Sequence, residues 1–221
     1  MGIAERKERQ KAELREQILT AARTIVLERG YRGLSMRKIA DAIEYSPAAL
    51  YLHFASREEI ALQLCREAFL ELLGYMASAG AIADPYQRIF AIARSYVRFG
   101  MEKPESYRLI FMEEQSFADS VMGPKALEDP NEPGTRALLF LRGTIAELIA
   151  RGIFRPVDPD AAAHVIWAAV HGLVSLRLSC PGFPFEDIDG LADLLCDKLM
   201  LGFSSGAVGA PEAAGAGRAA E

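Results

Sequence analysis

Apolar residues recur at three- and four-residue spacing along most of the chain, and the interruptions fall at caps, prolines and glycines. Leu14, Ile18, Ala21, Ala22, Ile25 and Val26 make one helical stripe, closed by Arg29 and Gly30. Residues 1–13 are charged and lack that spacing, which predicts a mobile arm. Met36, Ile39, Ala40 and Ile43 then form a short apolar face, and Leu50 with Phe54 forms another. Ser35 is placed to cap the first of these helices, and Ser46-Pro47 gives the second a cap and a first-turn proline. Helices this short bury too little surface alone and must dock on a neighbour. A helix-turn-helix meets that need and leaves the outer face of its second helix free for a DNA groove.

Ser56 with Glu59 is a capping box opening a long helix through Ile60, Leu64, Phe69, Leu72 and Leu73, expected to reach about Ser78. Pro85 opens a helix carrying Ile89, Ile92, Tyr96, Val97 and Phe99, and Pro104 a short one carrying Tyr107, Ile110, Phe111 and Met112. Residues 123–133 are dense in turn formers and read as a surface loop. Thr135 to Arg151 is helical, Asp158-Pro159 opens a helix rich in small residues, and Ile188 to Phe203 is the last. No strand alternation and no long repeat is present, so the expected fold is all-α. The expected division is 1–55, a helix-turn-helix DNA-binding domain with an N-terminal arm; 56–204, a helical ligand-binding and dimerisation domain; and 205–221, a disordered tail.

Charge sharpens the picture. Residues 1–60 hold 11 Lys/Arg and 9 Asp/Glu, a balance of +2, and the other residues hold 14 and 21, a balance of −7. The cationic surface therefore lies at the N-terminal end of an acidic protein, which opposes indiscriminate nucleic-acid binding. No window approaches the roughly 20 unbroken apolar residues of a membrane span. Cys65, Cys180 and Cys196 are odd in number and widely spaced, as expected of reduced thiols in a cytoplasmic protein.

The combination Ser35-Met36-Arg37-Lys38-Ile39-Ala40, Ser46, Leu50-Tyr51-x-His53-Phe54 and Arg57-Glu58 closely resembles the DNA-binding domain of TetR-family regulators. One position departs: Glu44 stands in the turn where the family usually has glycine. The resemblance implies a reading helix whose exposed residues are Tyr45, Ser46, Pro47, Ala48, Ala49 and Tyr51. That set holds no Arg, Asn or Gln for bidentate base contacts, so readout would rest on thymine methyls, a tyrosine hydroxyl and Arg37. Tyr51, His53 and Arg57 match positions that hold phosphates in the family, and Ser35 and Met36 complete the expected DNA-binding set. Arg6, Lys7, Arg9 and Lys11 either reach phosphates or form a solvated helix end.

In TetR-like proteins the last two helices usually pair subunits, which implies an interface at Ala168, Gly172, Ser175, Leu176, Leu191, Leu195 and Leu199. The family's inducer cavity implies a lining drawn from Tyr96, Phe99, Tyr107, Phe111, Met112, Phe140, Trp167 and His171, each of which is otherwise an ordinary core residue. Trp167-x-x-x-His171-Gly172 resembles a pattern in the C-terminal domain of one TetR subgroup. No phosphate loop, nucleophile elbow or convergent catalytic set is present, and His164 and His171 lack companion ligands at metal spacing. The expected protein is not an enzyme and needs no metal or cofactor. It is a dimeric one-component repressor, partnered by a palindromic double-stranded DNA operator, a second copy of itself and a small apolar or aromatic inducer, with no membrane. Two other classes stay open: a helical small-molecule-binding enzyme, and a helix-turn-helix used for protein contacts alone.

Overall fold

The computed structural model describes residues 2–112 and 129–206. Residues 123–128 of the expected loop and 207–221 of the expected tail lie outside them. The described elements are α1 (Ile3–Arg29), a 3-10 turn (Tyr31–Gly33), α2 (Met36–Ala42), α3 (Pro47–Leu50) and α4 (Arg57–Met76). A second 3-10 turn (Ala77–Ala81), α5 (Pro85–Glu102) and α6 (Pro104–Phe111) follow, then α7 (Pro133–Ala150), α8 (Pro159–Ser179) and α9 (Ile188–Phe203). An isolated antiparallel bridge between Phe154 and Ser204 is the only extended pairing among the described residues. The fold is all-α.

The expected caps are in place. The Ser35, Ser46 and Ser56 hydroxyls accept from the backbone N–H of Lys38 at 3.2 Å, Ala49 at 3.3 Å and Glu59 at 3.2 Å. Glu59 reaches back to the Ala55 N–H at 2.6 Å, one residue earlier than a strict capping box would have it. Asp84, Asp158 and Asp187 cap α5, α8 and α9 in the same way.

The N-terminal arm is a correction. Residues 3–13 continue α1 without a break, because local pairing substitutes for the missing apolar stripe. The Gly2 N–H donates to the Glu5 carboxylate at 2.9 Å, and Arg9 pairs with Glu13 one turn on at 3.6 Å.

Helices α1, α2 and α3 close around Ile18, Ala22, Val26, Leu34, Ile39, Leu50 and Phe54, all buried. From this module α4 runs on to pack against α5, α6 and α7. α5 is the hub of the second half and also touches α8 and α9. Its crossing with α8 is close: a Cβ on Gly100 would lie 2.3 Å from Val174 Cγ1 and 3.2 Å from the Tyr107 ring.

Candidate functional site

The DNA-facing candidates are set by the turn between α2 and α3. Glu44 occupies the left-handed region at φ 59°, and the next N–H, of Tyr45, returns to the Ala40 carbonyl at 3.0 Å. That six-to-one bond is the Schellman closure in which glycine normally takes the left-handed place. Glu44 therefore takes the place that glycine normally holds in this closure, at a cost in backbone strain. Arg37, Tyr45, Ser46, Pro47, Ala48 and Tyr51 are exposed, with Ser35 and Ala49 half-buried beside them. Tyr51 is 56% exposed, and Leu52, which the sequence reading passed over, is 80% exposed.

Two residues of the expected set are engaged within the protein. Met36 is buried in the three-helix core, because the apolar face of α2 needs it there. Arg57 is a fastening: it donates to the Leu34 carbonyl at 3.1 Å and to Glu58 at 2.8 Å, with its guanidinium 5.0 Å above the Tyr31 ring. These contacts bolt the start of α4 onto the α1–α2 connector. His53 stays half-buried, with an enclosed Nδ1 that has no hydrogen-bond partner among the described residues. Burial, then Lys11 and Arg15 of α1, push its pKa down. Two α1 cations thus stand beside the end of the reading helix.

The second site is a cavity of about 250 Å³ enclosed by α4, α5, α6, α7 and α8. Its wall is almost wholly apolar, with Phe69, Leu72, Ile92, Leu141, Ile166 and Val170 typical. Of the predicted lining, Tyr96, Phe111 and Trp167 face it. Phe99, Tyr107, Met112, Phe140 and His171 do not. Phe99 is fully buried between the Tyr75 and Tyr107 rings, Met112 is exposed beyond α6, and Phe140 sits half-buried at the core edge. Helical spacing cannot distinguish a cavity wall from the packed layer behind it.

Tyr107 and His171 form that layer. The Tyr107 hydroxyl lies 2.7 Å from His171 Nδ1, Tyr96 Oη is 3.1 Å from the same nitrogen, and Trp167 Nε1–H donates to Tyr96 Oη at 3.2 Å. Burial lowers the His171 pKa, lifts that of Tyr107 to about 12 and carries that of Tyr96 well up. All three are neutral near pH 7. A Tyr107 proton donated to Nδ1 puts the imidazole proton on Nε2. The cluster braces the Tyr96 side of the wall. Arg98 on α5 is exposed and paired with Glu102 at 3.2 Å.

The polar groups that do line the cavity were missed: Arg66, Glu132 and His164, together with buried Thr135. Arg66 pairs with Glu132 at 3.3 Å. They come from sequence positions that read as ordinary surface.

The third site is the outer face of α8 and α9. Val165, Leu176, Leu194 and Leu201 are each about half exposed, at 49%, 55%, 53% and 50%. Ala168 is exposed beside them, while Gly172 and Ser175 are half-buried. On α9 the exposed leucines, Leu194 and Leu201, lie beside the expected stripe. Leu191, Leu195 and Leu199 are half-buried, the last two packed against the core, because Ala192, Cys196 and Met200 turn that side inward. α8 is also long and apolar enough by composition to cross a membrane, with mean hydropathy 1.4, although only 28% of its most apolar window is buried.

Comparison with known proteins fits this arrangement. Residues 18–64 match the family described as bacterial regulatory proteins, tetR family, and residues 89–199 match the tetracyclin repressor-like C-terminal domain. The transcriptional activator FasR of Mycolicibacterium smegmatis is 33% identical over 100 residues, which is 45% of this chain and 46% of that one. This chain thus spans about half the length of that relative. The transcriptional repressor KstR2 of Mycobacterium tuberculosis is 28% identical over 77% of this chain and 83% of its own. Among solved structures, a Rhodococcus sp. RHA1 protein of unknown function superposes with TM-score 0.68 at 25% identity, covering 86% and 95% of the two chains. Bacillus subtilis FadR in complex with stearoyl-CoA superposes with TM-score 0.67 at 18% identity, covering 85% and 98%. With a DNA-reading module and a regulator C-terminal domain matched along one chain, this protein belongs to the TetR family and is a transcriptional regulator, not an enzyme.

Proposed function

We propose that this regulator is a cytoplasmic homodimeric repressor that binds a palindromic operator and is released from it by a small apolar ligand. One observation carries the reading. α4 starts beside the reading helix, fastened there by Arg57, and its later turns form a wall of the apolar cavity. A ligand that favours one tilt of α4 thereby favours one placement of the reading helix. About 2–3 kcal/mol of coupling between the two sites makes a useful switch. The half-exposed apolar stripe of α8 and α9 is the surface on which two copies pair, and it accounts for an apolar helix left so poorly covered. KstR2 supports repression, and FadR shows that this fold can take a ligand with a long apolar chain, that of stearoyl-CoA.

On the DNA side, Arg37, Tyr45 and the small residues Ser46, Pro47, Ala48 and Ala49 meet base edges. Ser35, Tyr51 and His53 hold phosphates, joined by Lys11 and Arg15. With these contacts made in both subunits, about ten per dimer, the log–log salt slope is near −9. The test is selection of bound duplexes from a random DNA pool. A two-fold symmetric site with half-sites about one helical turn apart is the expected result. Absence of any enriched sequence, or binding indifferent to salt, rejects operator recognition and favours a helix-turn-helix that contacts only protein.

A further inference from the structure

The polar groups of the cavity are unevenly placed. Nearly the whole wall is apolar, while Arg66, Glu132 and His164 stand together with the first turn of α7. The Arg66 side chain is 47% exposed and that of Glu132 21%, and His164 is exposed as well, so these groups mark the mouth and the apolar residues the interior. Arg66 presents five N–H donors, and the Glu132 contact at 3.3 Å uses one nitrogen at moderate range. Gly134 and Thr135, which follow Pro133 in the first turn of α7, also line the cavity. Glu132 stands at the capping position of that helix, but its side chain makes no cap bond there. A helix N-terminus adds positive potential to the side on which Arg66 already sits. The neighbouring carboxylate, Glu67, is held by Arg23 at 3.0 Å and Gln63 at 3.0 Å. Among the described residues, Glu132 is the one acidic side chain in the cavity lining.

We infer that the effector is a compact apolar acid whose carboxylate takes the place of Glu132 on Arg66, beside His164 and the first turn of α7. Size follows from volume. A cavity of about 150 Å³ holds benzene, so about 250 Å³ accommodates an apolar body of about ten carbon atoms. The exchange has a mechanical result. Arg66 lies on α4 and Glu132 at the head of α7, so a ligand carboxylate unfastens a tie between the helix that leads from the DNA module and the bundle around it.

This inference rests on the cavity being the effector seat, and the experiment separates the two. Trp167 is the only tryptophan of the chain and lines the cavity, so its fluorescence reports occupancy. The probes are shape-matched acid and alcohol pairs: 4-phenylbutanoate with 4-phenylbutan-1-ol, and octanoate with octan-1-ol. The full-length protein is expected to bind each acid about tenfold or more tightly than its alcohol, the scale of a charge-assisted hydrogen bond. Arg66→Leu is expected to erase that preference while leaving alcohol affinity within about twofold, Arg66→Lys to retain most of it, and Glu132→Gln to tighten acid binding severalfold. Alcohols binding as tightly as acids, or a preference that survives Arg66→Leu, overturns the anionic effector and leaves the cavity reading standing. No Trp167 response to any of the four compounds overturns both.

Discussion

A left-handed backbone costs an ordinary L-residue about 1–2 kcal/mol, and Glu44 at φ 59° is the only non-glycine described residue to adopt it. Glycine would remove the strain but loses about 0.5–1 kcal/mol through its freer unfolded chain. Glu44→Gly is accordingly expected to stabilise the protein by up to about 1 kcal/mol, raising Tm by about 2–4 °C in thermal unfolding. A lower Tm would mean that the glutamate side chain contributes something its backbone does not reveal. His171 carries the second residue-scale prediction. Its pKa is lowered by burial, and an Nδ1 facing two tyrosine hydroxyls accepts a bond only when unprotonated. The unfolded chain thus binds a proton that the folded one resists, so stability is complete above the unfolded value near 6.5 and declines as pH falls below it. His53 titrates in the same direction. His171→Asn should shallow the fall in Tm between pH 7.5 and pH 5.5, and an unchanged slope would place the effect elsewhere.

Among the elements, what the sequence revealed was local and what it concealed was tertiary. Ser35, Ser46, Ser56 and Asp158 announced helix starts because a cap acts on N–H groups two or three residues away. The continuation of α1 through residues 3–13 was hidden because exposed ion pairs leave no apolar period to read. Leu194 and Leu195 are neighbours on α9, and only the helix packed behind them decides which is covered. Arg66 and Glu132 lie far apart in sequence, with nothing local to mark either as part of a cavity mouth. The crossing of α5 and α8 gives a prediction at this scale. Alanine at Gly100 gains about 1 kcal/mol of helix propensity, but its Cβ would meet Val174 at 2.3 Å. Valine is stiff at χ1, so the helices must separate, at a cost of about 1–3 kcal/mol. Gly100→Ala should lower Tm, and a rise would show the crossing to be more yielding than its contacts suggest.

For the whole molecule, the apolar outer face of α8 and α9 is the proposed dimer surface. Leu194 is 53% exposed in the single chain, so Leu194→Asp costs the isolated fold little while placing a charge in the proposed interface. Light scattering after gel filtration should show a dimer for the natural protein and a monomer for the variant, with far-UV circular dichroism unchanged. A dimer in both would remove this face as the interface. Operator affinity should fall when dimerisation is lost, since one reader alone engages half the phosphates. The attachment of Arg57 to the Leu34 carbonyl and the Tyr31 ring then acquires a geometric meaning. With its first residue bolted to the α1–α2 connector, α4 and the DNA module swing as one body. Twenty residues of helix make a lever of about 30 Å. A swing of about 5° at its cavity end carries the module through about 2.6 Å. Opposed swings in two subunits change the separation of the readers by about 5 Å, more than the ~3.4 Å step between base pairs. A ligand need only nudge the fulcrum for the pair to lose its register on the operator.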